Sequence, residues 1–237
     1  MTNSTRKTPT GLEKNRTHLV VSHYSEDLGW LNNVPEDIHV FLYSKAEQPP
    51  DGSVRLPNLG REAHTYLHHI VSRYDSLAEV TVFCQGHPFD HCHHFHEILR
   101  ALSKEMPSEP FKWHGFIIDT DDCRGRRLHV PWSKNPDGKE LDIGHCHQAL
   151  FGRGGPEWYR FVVGAQFSTH RSQILKRPKS FYEKALEYTA DVADASFSLE
   201  RMWDRVFGVH YVTDELLPKG QMTRYLKKVK KLESQKS

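Results

Sequence analysis

The chain has 237 residues, 37% of them apolar and 26% charged, enough for one full hydrophobic core of ordinary α/β size. Lysine and arginine number 32 against 30 aspartate and glutamate, so the bulk charge argues for neither a nucleic-acid nor a membrane partner. Cys84, Cys92, Cys123 and Cys146 form no CxxC pair, and no apolar run reaches the length of a membrane span. The expectation is a soluble cytoplasmic protein with reduced thiols and neither a disulfide framework nor a zinc knuckle. The unusual count is 17 histidines, which raises the prospect of metal or acid–base chemistry without locating it.

Residues 1–17 are polar and poor in apolar groups, and are expected to form a mobile tail. His18 to Ser22 reads as a short strand, Glu26 to Leu31 as a short helix capped by Ser25, and Ile38 to Tyr43 as a second strand. In the stretch from Pro57 to His96, Ala63, Tyr66, Leu67, Ile70, Val71 and Tyr74 recur at helical spacing, which predicts a helix over 61–74. Glu79 to Cys84 is apolar at nearly every position, as a strand covered on both faces would be. It stops at Gln85-Gly86-His87-Pro88, where a glycine and a proline break the ladder.

A further helix is expected from Cys92 to Glu105, then a strand from Gly115 to Ile118 that ends in Asp119-Thr120-Asp121-Asp122. Arg124 to Gly144 is turn-rich and takes no assignment; an eight-residue helix precedes Gly152. Tyr159–Val163 and Ala165–Ser168 read as a strand pair interrupted at Gly164. Helices follow at Phe181–Thr189 and at Leu199–Phe207, the second bounded by Ser198 and Gly208. From Lys219 the chain is basic and amphipathic. The fold class is a single-domain α/β structure over 18–212, with a mostly parallel central sheet and helices on both faces, and with 213–237 as a basic helix or tail.

Polar groups gather where the predicted strands end, the edge that binds ligands in open α/β sheets. His87, Asp90 and His91 are candidate metal ligands, and Gln85 can orient a phosphate or water beside them; equally, the two imidazoles can bond the loop and Asp90 can cap the next helix. Asp119 and Asp121 are oxygen ligands of the kind a magnesium or manganese ion on a diphosphate needs, and also residues that turns favour. The crowd of His93, His94 and His96 cannot act as one cluster on a helix, because neighbours point about 100° apart. His64 and His68, one turn apart, read as a solvated flank. Glu200 and Asp204 stand one turn apart on a predicted helix and are candidate general bases, or partners of Arg201 and Arg205.

The blocks LVVSHYSEDLGWL, LPNLGREAHTYLHHIVSRYDSLAEVTVFCQGHP, VVGAQFSTHRSQILKRPKSFYEKALEY and LERMWDRVFG resemble those of domain of unknown function 3431, over about Leu19 to Gly208. More distantly, the order of strand, acid-bearing loop, helix-to-strand with a polar terminus, and a Gly-Ala-x-Phe strand is similar to glycosyltransferases of the GT-A type, a Rossmann-like fold. That resemblance implies a nucleotide facing Ser22 and His23, a diphosphate at Arg61, a cation at His87, an acceptor at Gln166 and a proton taken by Glu200. Where GT-A enzymes carry a DxD motif this chain has Gln85-Gly86-His87, and its own DxD is Asp119-Thr120-Asp121.

The expected function is therefore sugar transfer from a nucleotide donor with a divalent cation, manganese or magnesium. The alternatives are a histidine-ligated iron, copper or zinc enzyme and a non-catalytic binding module. The expected partner is a nucleotide or small molecule, with neither nucleic acid nor membrane.

Overall fold

Consecutive apolar residues that face alternately up and down set the architecture. In the computed structural model, which describes residues 16–125 and 140–209, β1 (Thr17–His23) is buried along its whole length. Leu19 and Val21 pack on one side of the sheet with Trp30, Phe95 and Leu99; Val20 packs on the other with Tyr66, Leu67 and Ile70. Covering on both faces follows from this alternation.

Around β1 stand β2 (Ile38–Ser44), β3 (Val54–Arg55), β4 (Val80–Gln85), β5 (Phe111–Trp113) and β8 (Phe167–His170), in the order β3-β2-β1-β4-β8-β5. The pairs β1/β2, β1/β4 and β2/β3 are parallel, whereas β8 runs antiparallel to both β4 and β5. The chain leaves β1 toward β2 and β3 on one side. It then returns through α1 (Arg61–Arg73) to place β4 on the other. The strand order thus reverses between β1 and β4, and a crevice opens at their carboxyl ends.

The predicted helix at 61–74 is α1, and its Tyr66, Leu67 and Ile70 are fully buried. Each such side chain contributes about 1.5–3 kcal/mol. Its start is fixed by Gly60, which takes φ +53°; a Cβ there would stand 2.7 Å from the Thr189 carbonyl oxygen of α5 (Lys179–Asp191). The expected helices also appear as α2 (Phe95–Lys104) and α3 (Ile143–Phe151). Among the described residues no helix is long and apolar enough to cross a membrane. The four cysteines are free thiols.

Four expectations are corrected. The segment expected as a helix at 26–31 is a 3-10 turn over Gly29–Asn33, and Ser25 does not cap it; the Glu26 carboxylate instead accepts the Tyr24 and Ser25 backbone N–H groups. The strand expected at 115–118 is mostly a connection between two strands, β5, which ends at Trp113, and β6 (Ile118–Asp122); Phe111 and Trp113 pack on Phe167 at 5.4 and 5.8 Å and draw the earlier segment into the main sheet despite Pro110. Gly164 (φ +102°) and Ala165 (φ +51°) then turn the chain so that β7 (Trp158–Val162) pairs with β6 in a separate ribbon while β8 enters the main sheet; the two halves of the expected pair never meet. The helix expected over 199–207 breaks into α6 (Ala195–Glu200) and α7 (Trp203–Val206), with Met202 at φ −139° between them and the Arg201 guanidinium turned inward. The remaining short helix, α4 (Arg171–Ile174), follows β8. Of the tail expected over 1–17, residues 1–15 lie outside the described residues, whereas Thr17 is buried and opens β1; the basic segment at 213–237 also lies outside the described residues.

Candidate functional site

A cavity of about 320 Å³ lies at the crevice between the ends of β1 and β4. Ser22 and His23 finish β1, Lys45 follows β2, Gln85 finishes β4, and Arg61 and Glu62 open α1; all six line the cavity. Their positions are held from behind. Ser22 Oγ donates to Thr65 Oγ1 at 2.9 Å, and His23 Nδ1 lies 2.9 Å from Ser44 Oγ. Trp30 Nε1 donates to the Gly86 carbonyl at 2.8 Å and fixes the turn after β4.

Two cations serve this wall in different ways. The Lys45 ammonium is buried and donates to the Leu59 and Arg61 carbonyls, so it ties the loop before α1 to the end of β2. Burial draws its pKa down to about 8, with Glu62 acting in the opposite direction. Arg61 is mostly exposed, stacks its guanidinium over Phe197 at 4.8 Å and places Nε 3.8 Å from Glu62 Oε2. Its backbone takes φ +46°, a strained value for a side chain of this size and one that structures keep mainly at functional positions. Glu62 itself is only 11% exposed, and burial, with Glu200 adding to it, pushes its carboxyl up to about 7.

Behind the cavity lies a second polar group. Glu200 accepts the Gly164 N–H at 2.8 Å through one oxygen and Arg201 Nη1 at 2.9 Å through the other. Arg201 Nε in turn donates to Asp121 Oδ2 at 3.1 Å, in a pair 5% and 0% exposed. The His91 ring packs against Gly164, where a Cβ would stand 2.5 Å from it, and burial lowers its pKa while Glu200 and Asp90 raise it. Gln166 donates to the Pro88 carbonyl at 2.9 Å. Three atoms here are buried without a hydrogen-bond partner: the Tyr66 hydroxyl, His91 Nδ1 and Gln166 Oε1. Native interiors rarely leave such groups unsatisfied, so they mark a place where a ligand or water belongs.

The structure therefore gathers Ser22, His23, Arg61 and Gln85 in one cavity, with Gln166, His91 and Glu200 in the layer behind it. It does not gather the rest. His87 and Asp90 form an exposed pair at 3.3 Å on the turn after β4, outside the cavity lining. Asp119 and Asp121 lie within β6 rather than after a strand; Asp119 accepts the Thr120 N–H and Asp121 faces Arg201. Asp204 sits in α7, separated from Glu200 by the helix break, and is 3% exposed. Among the described residues no three His, Cys, Asp or Glu side chains converge as metal ligands. His93 stacks on Phe116 at 4.6 Å and His96 lies 3.1 Å from the Trp30 carbonyl. His64, expected on a solvated flank, is 7% exposed, beside the buried Lys45 and stacked on His68 at 6.4 Å.

Lys45, Glu62 and Tyr66 are cavity or near-cavity residues that the pattern did not single out. For Lys45 the available signal was a cation directly after an apolar strand; for Glu62 it was an acid in the first turn of a helix that follows a loop with glycine. Tyr66 counted only as core.

No curated protein matches the chain. The family described as Protein of unknown function (DUF3431) matches residues 19–219, a span that includes every residue lining the cavity. With that match covering most of its length, the chain belongs to the DUF3431 family.

Proposed function

We propose that the cavity binds a nucleoside diphosphate and that the protein transfers a sugar from a nucleotide-linked donor, in the manner of GT-A enzymes. The observation that carries the reading is the polar cavity at the point where strand order reverses, walled by Arg61 and Lys45 at the amino end of α1. An anion is favoured at that end of a helix, and a diphosphate accepts the planar fork of an arginine. Ser22 and His23 contact the nucleoside, Arg61 the diphosphate, and Gln85 a phosphate oxygen or its water. Gln166, expected to meet the acceptor, is fully buried and does not line the cavity; it holds the Pro88 carbonyl from behind. Support for the GT-A likeness comes from the strand order with its antiparallel β8.

A manganese or magnesium ion is a poorer fit. Gln85 is neutral, and the His87–Asp90 pair offers one imidazole and one carboxylate on an exposed turn, to which the described residues add no third donor. That donor set is too small to hold a resident ion. The charge that develops on the leaving diphosphate falls instead to Arg61, in the field of the buried Lys45 ammonium.

Titration calorimetry with UDP and GDP tests the reading. Saturable binding that survives a chelator is expected, and Arg61→Ala should weaken it by about 10- to 100-fold, the worth of one charge-assisted contact. Absence of binding by either nucleotide, or binding indifferent to Arg61→Ala, contradicts it.

A further inference from the structure

Four carboxyls stand at or behind the cavity, and three are already committed, Asp121 to Arg201 Nε at 3.1 Å. Glu26 Oε2 takes the Tyr24 and Ser25 N–H groups at 2.7 and 3.0 Å. Glu200, the acid that the resemblance to GT-A enzymes implies as base, spends one oxygen on Gly164 N–H and the other on Arg201. Glu62 lines the cavity, takes a hydrogen bond from its own backbone N–H, and has Arg61 Nε at 3.8 Å. One turn along the same helix the Tyr66 hydroxyl is buried without a partner.

We propose that Glu62 is the catalytic proton acceptor of this cavity, removing the hydroxyl proton of the molecule that receives the sugar. The proposal rests on the nucleotide-sugar reading above. The acceptor oxygen forms a bond to the anomeric carbon as its proton passes to Glu62; the bond from that carbon to the diphosphate oxygen breaks, and its electron pair leaves with the diphosphate. Glu200 is a positioning residue, which holds Gly164 and Arg201 and raises the proton affinity of Glu62 by its charge. The groups facing Glu62 act in both directions: burial and Glu200 raise its proton affinity, while Arg61 and Lys45 lower it, and the balance leaves the carboxyl near neutrality. A carboxyl so poised accepts a proton more readily than an ordinary one.

Two measurements on the full chain test this. Carbon-13 titration of labelled glutamate carboxyls, with Glu62→Gln as the assignment control, should show one midpoint near 7; a Glu62 midpoint in the usual carboxylate range overturns the proposal. Release of free sugar from UDP-glucose and GDP-mannose, water serving as acceptor, should fall about 100-fold or more in Glu62→Gln. The nucleoside diphosphate affinity should not fall, since the substitution removes a negative charge beside Arg61, and the rise of rate with pH through neutrality should vanish. Glu62→Asp, which keeps the acid, should fold and retain part of the rate. Equal rates in wild type and Glu62→Gln overturn the proposal, as does a wild type that binds sugar nucleotide without turnover. If the wild type binds no nucleotide, the reading of the cavity fails first, visible as absent saturation rather than as a difference between variants.

Discussion

Arg61 with Glu62 and Arg201 with Asp121 are the same chemistry in two settings. In the second, the guanidinium is 5% exposed, the carboxylate 0%, the contact 3.1 Å, and Glu200 and the Phe197 carbonyl both accept from Nη1. In the first, the guanidinium is 61% exposed, the contact stretches to 3.8 Å, and the acid is left near neutrality by burial. A pair that is dry and held by further hydrogen bonds fastens β6 to the break between α6 and α7. A pair that is loose at the rim of a cavity keeps both partners available. Burial and unspent hydrogen-bonding capacity, rather than residue type, separate structural ion pairs from reactive ones.

Arg201→Ala should break that contrast most severely, because it strands Asp121 and Glu200 in the interior; a loss of about 3–5 kcal/mol in urea-induced unfolding is expected. Lys45→Met should cost less, about 1–3 kcal/mol, by leaving the Leu59 and Arg61 carbonyls without their donor, and should also weaken nucleotide binding by releasing the loop before α1. Arg61→Ala sharpens the comparison from the other end. Its stability should change by less than about 1 kcal/mol, since an exposed ion pair is worth little, whereas nucleotide affinity falls.

The pH dependence offers a further test. Burial holds His18 at about 4 and His69 at about 3, against about 6.5 in an unfolded chain. Below pH 6.5 the unfolded chain takes up protons that these folded imidazoles refuse, so their contribution is whole above that pH and is lost as the pH falls toward 4. Glu62 works in the opposite sense: its raised pKa favours folding below about 4.5 and loses that contribution as the pH rises through 7. Unfolding midpoints measured from pH 8 to pH 4.5 should therefore fall on acidification, and Glu62→Gln should deepen the fall relative to neutral pH. A flat profile would mean that the imidazoles are not buried as described.

Much of this organisation was legible in the chain. The apolar runs at 18–22, 38–43 and 79–84 and the helical stripe from Ala63 to Tyr74 each bury enough surface to override local ambiguity, and they appear as β1, β2, β4 and α1. The runs put Gln85 at a strand end, and the resemblance to GT-A enzymes adds Ser22, His23 and Arg61 to the same edge. Elements after Pro107 were harder. Gly164 and Ala165 send two adjacent apolar segments into different sheets, a tertiary choice made by Phe167 meeting Phe83 and Trp203 at 5.0 and 5.2 Å. Periodicity could not reveal the break at Arg201 either, because the apolar spacing continues across it while the buried carboxylate of Asp121, 80 residues earlier, draws the side chain inward. The acid at Glu62 was hidden for a related reason: its proton affinity is set by neighbours that only the fold assembles.

The most direct test of the nucleotide reading is a crystal structure of the full chain grown with a nucleoside diphosphate. Electron density for the nucleoside is expected over the ends of β1 and β4 near Ser22 and His23, with a diphosphate within about 3 Å of the Arg61 guanidinium. Density elsewhere, such as in the cavity of about 650 Å³ between α2 and β5 that Lys112 and His114 help line, with the Arg61 side vacant, would contradict it.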